Sequence, residues 1–237
     1  MIPLLFPKAT YAKRREILAR ALEPNRDLVL FLNAPEKVRN FDSHYAYRPD
    51  SHFLYMTGYA EQGSAFLLWR EKSPKGKVVT RFHMFVLPRD PAQEQWDGYR
   101  YGTTGAFKAT GADNAHTIDT LDDAVLEWLN EVPQIGMAPR VFTNAFHEAE
   151  HKEHVLRLLE GFKPRMRSGR HEIAAIEDVH PLVQAQRVVK DAGELGVLRE
   201  AAAINVKAHR KLMHQLRPGM KEFEVRALLE GEYGVDG

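Results

Sequence analysis

Two uninterrupted apolar runs, Leu28-Val29-Leu30-Phe31-Leu32 and Ala65-Phe66-Leu67-Leu68-Trp69, limit most tightly what this chain can fold into. Such a run leaves no polar side to face solvent, so each predicts a strand covered on both faces. Lys72-Ser73-Pro74-Lys75-Gly76-Lys77 supplies a turn after the second run. Arg81-Phe82-His83-Met84-Phe85-Val86-Leu87 reads as a further strand stopped by Pro88, and Arg140-Val141-Phe142-Thr143 as a short one. Tyr11 to Leu22, Leu121 to Leu129 and Ala145 to Leu159 read as helices between them. In the first helix Ile17, Leu18 and Leu22 form the apolar side, and Lys13-Arg14-Arg15 is expected to be a solvated face. Strands interleaved with helices predict an α/β layer architecture with a mixed sheet flanked by helices.

The basic segment from Phe162 to Arg170, which includes Lys163-Pro164-Arg165-Met166-Arg167 together with Ser168 and Gly169, is expected to join two domains, 1–172 and 173–237. Beyond Lys190 the pattern becomes long helix. Asp191 with Glu194 three residues later has the spacing of a capping box. Leu195, Leu198, Ala202, Ala208 and Leu212 then form an apolar stripe, Pro218-Gly219 ends the helix, and Lys221 to Glu230 begins another.

Composition removes several classes of function. With 33 basic and 32 acidic side chains the net charge is +1, which gives no field suited to a nucleic-acid backbone. The absence of cysteine excludes disulfides, thiolate nucleophiles and cysteine-ligated zinc, and it fits a reducing, cytoplasmic setting. Met1-Ile2-Pro3-Leu4-Leu5-Phe6-Pro7 is apolar but too short and proline-broken for a signal sequence. No run approaches the roughly 18 apolar residues that a membrane span needs.

The segment Asp42-Ser43-His44-Tyr45-Ala46-Tyr47-Arg48-Pro49-Asp50-Ser51-His52-Phe53-Leu54-Tyr55-Met56-Thr57-Gly58-Tyr59 mixes aromatic, charged and turn residues in an order that no simple helix or strand requires. It resembles the signature of the N-terminal domain of Xaa-Pro aminopeptidases, Asp-Ser-x-Tyr-x-Tyr-Arg-x-x-Ser-x-Phe-x-Tyr-x-Thr-Gly. Lys190-Asp191-Ala192-Gly193-Glu194-Leu195-Gly196-Val197-Leu198-Arg199 is similar to the start of the same family's catalytic "pita-bread" domain. So are Ala208-His209, Leu216-Arg217-Pro218-Gly219-Met220-Lys221-Glu222-Phe223-Glu224 and Leu229-Glu230-Gly231-Glu232. Prolidases and creatinases share the architecture but match the signature less well.

The resemblance implies a hydrolase that releases the N-terminal residue from peptides with proline second. The tertiary X-Pro amide lacks an N–H and fixes φ, which sets such substrates apart from those of general peptidases. The family's reaction uses two divalent metal ions, usually manganese, held by two Asp, one His and two Glu, with a bridging hydroxide as nucleophile. Those ligands would follow Gly237, so this chain is expected to hold neither metals nor activity by itself. Proline-containing peptides and further copies of the chain, as a dimer or tetramer, are the implied partners; nucleic acid and membrane are not.

The resemblance also marks four residues. Gln95-Trp96-Asp97-Gly98-Tyr99-Arg100-Tyr101-Gly102 is similar to a family loop that helps wall a neighbouring subunit's active site. There Trp96 would offer a flat face to a prolyl ring and Arg100 would meet a peptide carboxylate or carbonyl; a packed surface Trp with an ordinary Arg is the other reading. Asp42 would support a network near the metals or cap its own turn. His180 stands where bacterial relatives often carry Arg before the proline, and is a weak substitute for it.

Three competing readings stay open. One is a non-catalytic oligomerisation or scaffold domain whose exposed C-terminal helices pair with a partner. Another is a prolidase-like Xaa-Pro dipeptidase. The third rests on His147-Glu148-Ala149-Glu150-His151, a literal H-E-x-x-H, which on one helix would place both imidazoles on a zinc ion. Its third ligand would be His154 or Glu172, and its alternative is a solvated polar helix face. His44, His52, His83, His116, His171, His209 and His214 are scattered and read as structural or surface residues, with a packing or supporting role expected for His209.

Overall fold

The computed structural model describes residues 5–134, 136–164 and 169–236. Met1 to Leu4, Ile135, Arg165 to Ser168 of the basic stretch, and Gly237 lie outside them. Two compact units are present, 1–186 and 187–237.

The first unit is built on a six-stranded mixed sheet. Its strands are β1 (Asp27–Leu32), β4 (Ala65–Lys72), β5 (Val78–Val86), β6 (Asn114–Thr117), β7 (Arg140–Thr143) and β8 (Ala175–Asp178), in the order β6-β5-β4-β1-β7-β8. A small hairpin, β2 (Val38–Asn40) with β3 (Ser43–His44), stands apart. The two apolar runs are the central pair: β1 lies antiparallel to β4, with Leu30 opposite Leu67, and parallel to β7. Every residue of β1 is buried.

Period-two alternation sends these side chains into two separate cores. Val29, Phe31, Phe66, Leu68, Phe82 and Met84 meet α1 (Lys8–Ala19), α2 (Ser51–Thr57), α4 (Gly102–Thr110) and α7 (His180–Arg187) on one face. Leu28, Leu30, Leu67, Trp69 and Phe85 meet α5 (Leu121–Glu131) and α6 (Ala149–Glu160) on the other. Asp27, fully buried at the start of β1, takes two hydrogen bonds of 2.9 and 2.6 Å from the Arg140 guanidinium across the β1–β7 pair. A forked pair of this kind fixes register as well as charge.

Three expectations change. Arg14 and Arg15 are buried rather than solvated, and Ile17 is the partly exposed one. The reason is local: Arg14 donates to the Tyr55 carbonyl, and Arg15 to the carbonyls of Met56 and Thr110, at 2.9 to 3.1 Å. These carbonyls lie at the C-terminal ends of α2 and α4, where helices leave acceptors unmatched and favour cations. Aromatic faces complete the shelter, Tyr55 4.0 Å from Arg14 and Phe82 3.9 Å from Arg15. Burial holds the Arg15 guanidinium below the ordinary arginine range, at about 10, with Asp113 opposing the shift.

Second, the first unit runs past residue 172 to Gln186, because 175–178 completes the sheet as its edge strand and Val183 of α7 enters the core. Third, 145–159 is broken: Ala145–His147 is a single 3₁₀ turn, Glu148 is extended at φ −130°, ψ 126°, and α6 starts only at Ala149.

In the second unit α8 (Ala192–Gln215) begins with the expected capping box, Asp191 accepting from the Glu194 N–H and Glu194 from the Asp191 N–H, both at 2.9 Å. The following α9 (Glu222–Asp236) folds back on it, with Lys211 bonded to Glu232 and Tyr233 to Asn205. Of the stripe on α8, Ala208 and Leu212 are buried, whereas Leu195 and Leu198 are exposed. No helix among the described residues is long and apolar enough to cross a membrane.

Candidate functional site

The signature segment is organised by its own polar side chains. Asn33, just after β1, accepts the Asp50 N–H at 2.9 Å, and Asp50 caps α2 by accepting from His52 and Phe53 at 2.9 and 2.8 Å. Such a cap satisfies donors that the first turn leaves open. Thr57 then takes the Tyr59 N–H, and Gly58 ends the helix in the left-handed region at φ 70°. Tyr59 donates to Glu61 at 2.5 Å, and the same carboxylate accepts the Tyr101 N–H. Burial, and then the bond to Glu61, hold the Tyr59 hydroxyl well above the usual tyrosine range.

Two features occupy the sheet where β1, β5, β6, β7 and β8 end, the place at which open α/β sheets carry ligands. One is a cleft of about 540 Å³, whose walls include Asn33, Gln62, Ser64, Asp119, His151 and His154. His154 and Asp122 are 2.8 Å apart on it, and burial keeps the His151 imidazole below its ordinary value. The other is a histidine cluster. Thr143 of β7 pairs with Asp178 of β8, so the residues leaving the two strands meet. His147 Nε2 lies 2.9 Å from Asp178 Oδ2, and the other carboxylate oxygen accepts the His180 N–H at 2.9 Å. The rings of His147 and His180 stack, centroids 3.9 Å apart and planes 17° apart, and His52 stands edge-on to His180 at 4.4 Å. Burial pushes the Asp178 carboxyl up, but the His180 N–H and the His147 bond and charge more than offset this and leave it below the usual carboxylate range.

The literal H-E-x-x-H does not form a zinc-peptidase helix. His147 precedes the extended Glu148 and faces Asp178, while His151 sits within α6 and lines the cleft. Nor is it simply a solvated face, since His147 is bonded to Asp178 and His151 is half-buried.

The four residues marked by sequence fall in separate places. Asp42 is exposed at the tip of the β2–β3 hairpin, next to Phe41 with φ 46°. Trp96 projects from α3 (Pro91–Asp97) and is 85% exposed. Arg100 lines a smaller cleft of about 270 Å³ with Glu36, Tyr47, Glu61, Gln62, Leu87 and Tyr99. Beside it, Arg89 forks onto Glu94 at 2.9 and 2.7 Å and lies 4.2 Å from the Tyr99 ring, which braces the loop. His180 is buried in the histidine cluster. Asp42, Trp96 and His180 are not walls of the Arg100 cleft. Sequence reading missed Asp178 and the part of His147 outside the zinc motif, because only strand pairing brings them together; the Asp-x-His of 178–180 was the available signal.

A family model described as "Aminopeptidase P, N-terminal domain" matches residues 11–135. The chain is 28% identical to the Xaa-Pro aminopeptidase of Escherichia coli, over 96% of its own length and 49% of the relative's. Among solved structures it superimposes with a TM-score of 0.86 and 27% identity on proline aminopeptidase P II from Yersinia pestis, covering 98% of this chain and 51% of that one. The same score and identity hold for zinc-substituted Escherichia coli aminopeptidase P in complex with product, over 98% of this chain and 50% of that one. The chain thus spans about half the length of these relatives.

Proposed function

The chain belongs to the family of the aminopeptidase P N-terminal domain, and from that membership we propose that it is the N-terminal part of a Xaa-Pro aminopeptidase. The complete protein releases the first residue from peptides with proline second. The match over residues 11–135, which contains the whole signature segment, carries this reading. The similarity over 96% of the chain to a curated Xaa-Pro aminopeptidase supports it. The second unit is then the opening of the catalytic domain.

The dimetal centre implied by the family does not fit the described residues. The one group of three or more converging ligand side chains among them is His147, Asp178 and His180, not two Asp, one His and two Glu. No hydrolytic step is therefore assigned to these 237 residues. Their contribution is architectural: a braced loop that presents Trp96 outward, and a cleft that holds Arg100. Both suit contact with a peptide bound by another subunit of an oligomer.

The test begins with the gene. Sequencing beyond the codon for Gly237 should find an open frame with two Asp, one His and two Glu, and its full-length product should cleave X-Pro-Y peptides between X and Pro when supplied with Mn²⁺. A stop codon at that point would overturn the reading in favour of a non-catalytic relative. Cleavage of X-Pro dipeptides with X-Pro-Y left intact would make the protein a dipeptidase.

A further inference from the structure

We infer that His147, Asp178 and His180 form a binding site for one divalent transition-metal cation of the zinc, cobalt or nickel type. One nitrogen of each imidazole and one Asp178 oxygen all lie within 4.8 Å of one another. One of these separations, 2.9 Å between His147 Nε2 and Asp178 Oδ2, is a span that one ion bridges. With metal–ligand bonds of about 2.0–2.2 Å it can reach both atoms without backbone movement. Two neutral imidazoles and a carboxylate are a donor set of borderline hardness, suited to these ions and poorly suited to calcium or magnesium.

The surroundings are those of an oriented site. The His180 N–H fixes one oxygen of Asp178 and turns the other toward His147. His52 packs edge-on against His180 and limits its tilt. Supporting contacts of this kind orient ligands and raise affinity. His180 is almost fully buried, whereas His147 and Asp178 keep 49% and 33% of their side-chain surface, so an ion and its remaining waters can enter from that side. Stacked rings direct their in-plane lone pairs alongside each other rather than at one point. Loading the site therefore requires one ring to turn, and the half-exposed His147 is the one with room. Bound there, the ion would tie the turn after β7 to the junction between β8 and α7.

Chelator-stripped 237-residue chain is titrated with Zn²⁺ by calorimetry and with Co²⁺ by visible absorption. The expectation is one equivalent of metal, a cobalt spectrum of low coordination number with nitrogen ligands, and a Zn²⁺-dependent rise in Tm. That rise should be roughly 5 °C or more at a hundredfold excess over Kd. His147→Ala and His180→Ala should each weaken binding by at least about tenfold and abolish the Tm rise. His154→Ala, on the neighbouring cleft, should change neither. His147 is half exposed, so its variant tests the site even if removing buried His180 disturbs folding. The inference is overturned if the wild-type chain takes up no stoichiometric metal. It is equally overturned if His147→Ala binds as tightly as wild type, or if His154→Ala is the variant that loses the metal.

Discussion

Gly58 is held at φ 70°, and a Cβ placed there would come within 2.5 Å of the Tyr11 ring. Both the backbone region and the space exclude a side chain. Gly58→Ala should lower stability by roughly 2 kcal/mol or more, read from the urea midpoint at unchanged m. Trp96 is the opposite case. At 85% exposure it packs on little, so Trp96→Ala should leave the urea midpoint within about 0.5 kcal/mol of wild type. Its effect should fall instead on the complete protein's cleavage of X-Pro-Y. A folded, stable Trp96→Ala protein with undiminished turnover would remove Trp96 from the substrate's surroundings.

At the scale of elements, the least expected device is the attachment of α1. Arg15 reaches the last carbonyls of two helices at once, and charge-assisted bonds of that kind are worth about 1.5–3 kcal/mol each. Arg15→Met, which keeps the apolar stem, should cost about 3 kcal/mol. Arg15→Lys should recover only part of this, since a single ammonium cannot fork between two acceptors as guanidinium does. Sequence reading placed the helix but not its polarity, because helical periodicity treats every arginine as solvent-facing and is blind to acceptors supplied 41 and 95 residues away. The same limit hid the histidine cluster, whose members come from three elements. By contrast the β1 and β4 runs were legible, since continuous apolar residues have one strand-like solution, and so was the Asp191 cap, which is local.

The pH response belongs to His83 of β5 and His151 of α6. Burial, then the neighbouring His116, keeps the His83 imidazole below its ordinary 6.5, and burial does the same for His151. The unfolded chain then takes up protons near 6.5 that the folded chain resists, so stability should fall as pH drops below that value. His83→Gln and His151→Gln should flatten this part of a urea-midpoint profile. Asp178, held low, should contribute its own loss only at more acidic pH, below its ordinary 3.8.

For the whole molecule, the two units are joined by a few residues between α7 and α8, of which Val188 and Val189 are 71% and 81% exposed. Brief trypsin treatment should cut beside them, at Arg187 or Lys190, and leave a folded N-terminal piece that retains cooperative unfolding. Cleavage scattered through 1–186 would contradict the division. The family was legible in one contiguous segment, 42–59, because its fixed residues cap, turn and brace their own backbone. The boundary was not, because the edge strand that moves it to residue 186 is short and only partly apolar. The anchoring of α1 also imposes an order in time. A ribosome makes the chain from its N-terminus, yet Arg15 finds its carbonyls only at residues 56 and 110, and β1 its second neighbour only at 140–143. The first helix can therefore complete its docking only after more than half of the first unit has emerged, and until then Arg15 lacks its second acceptor.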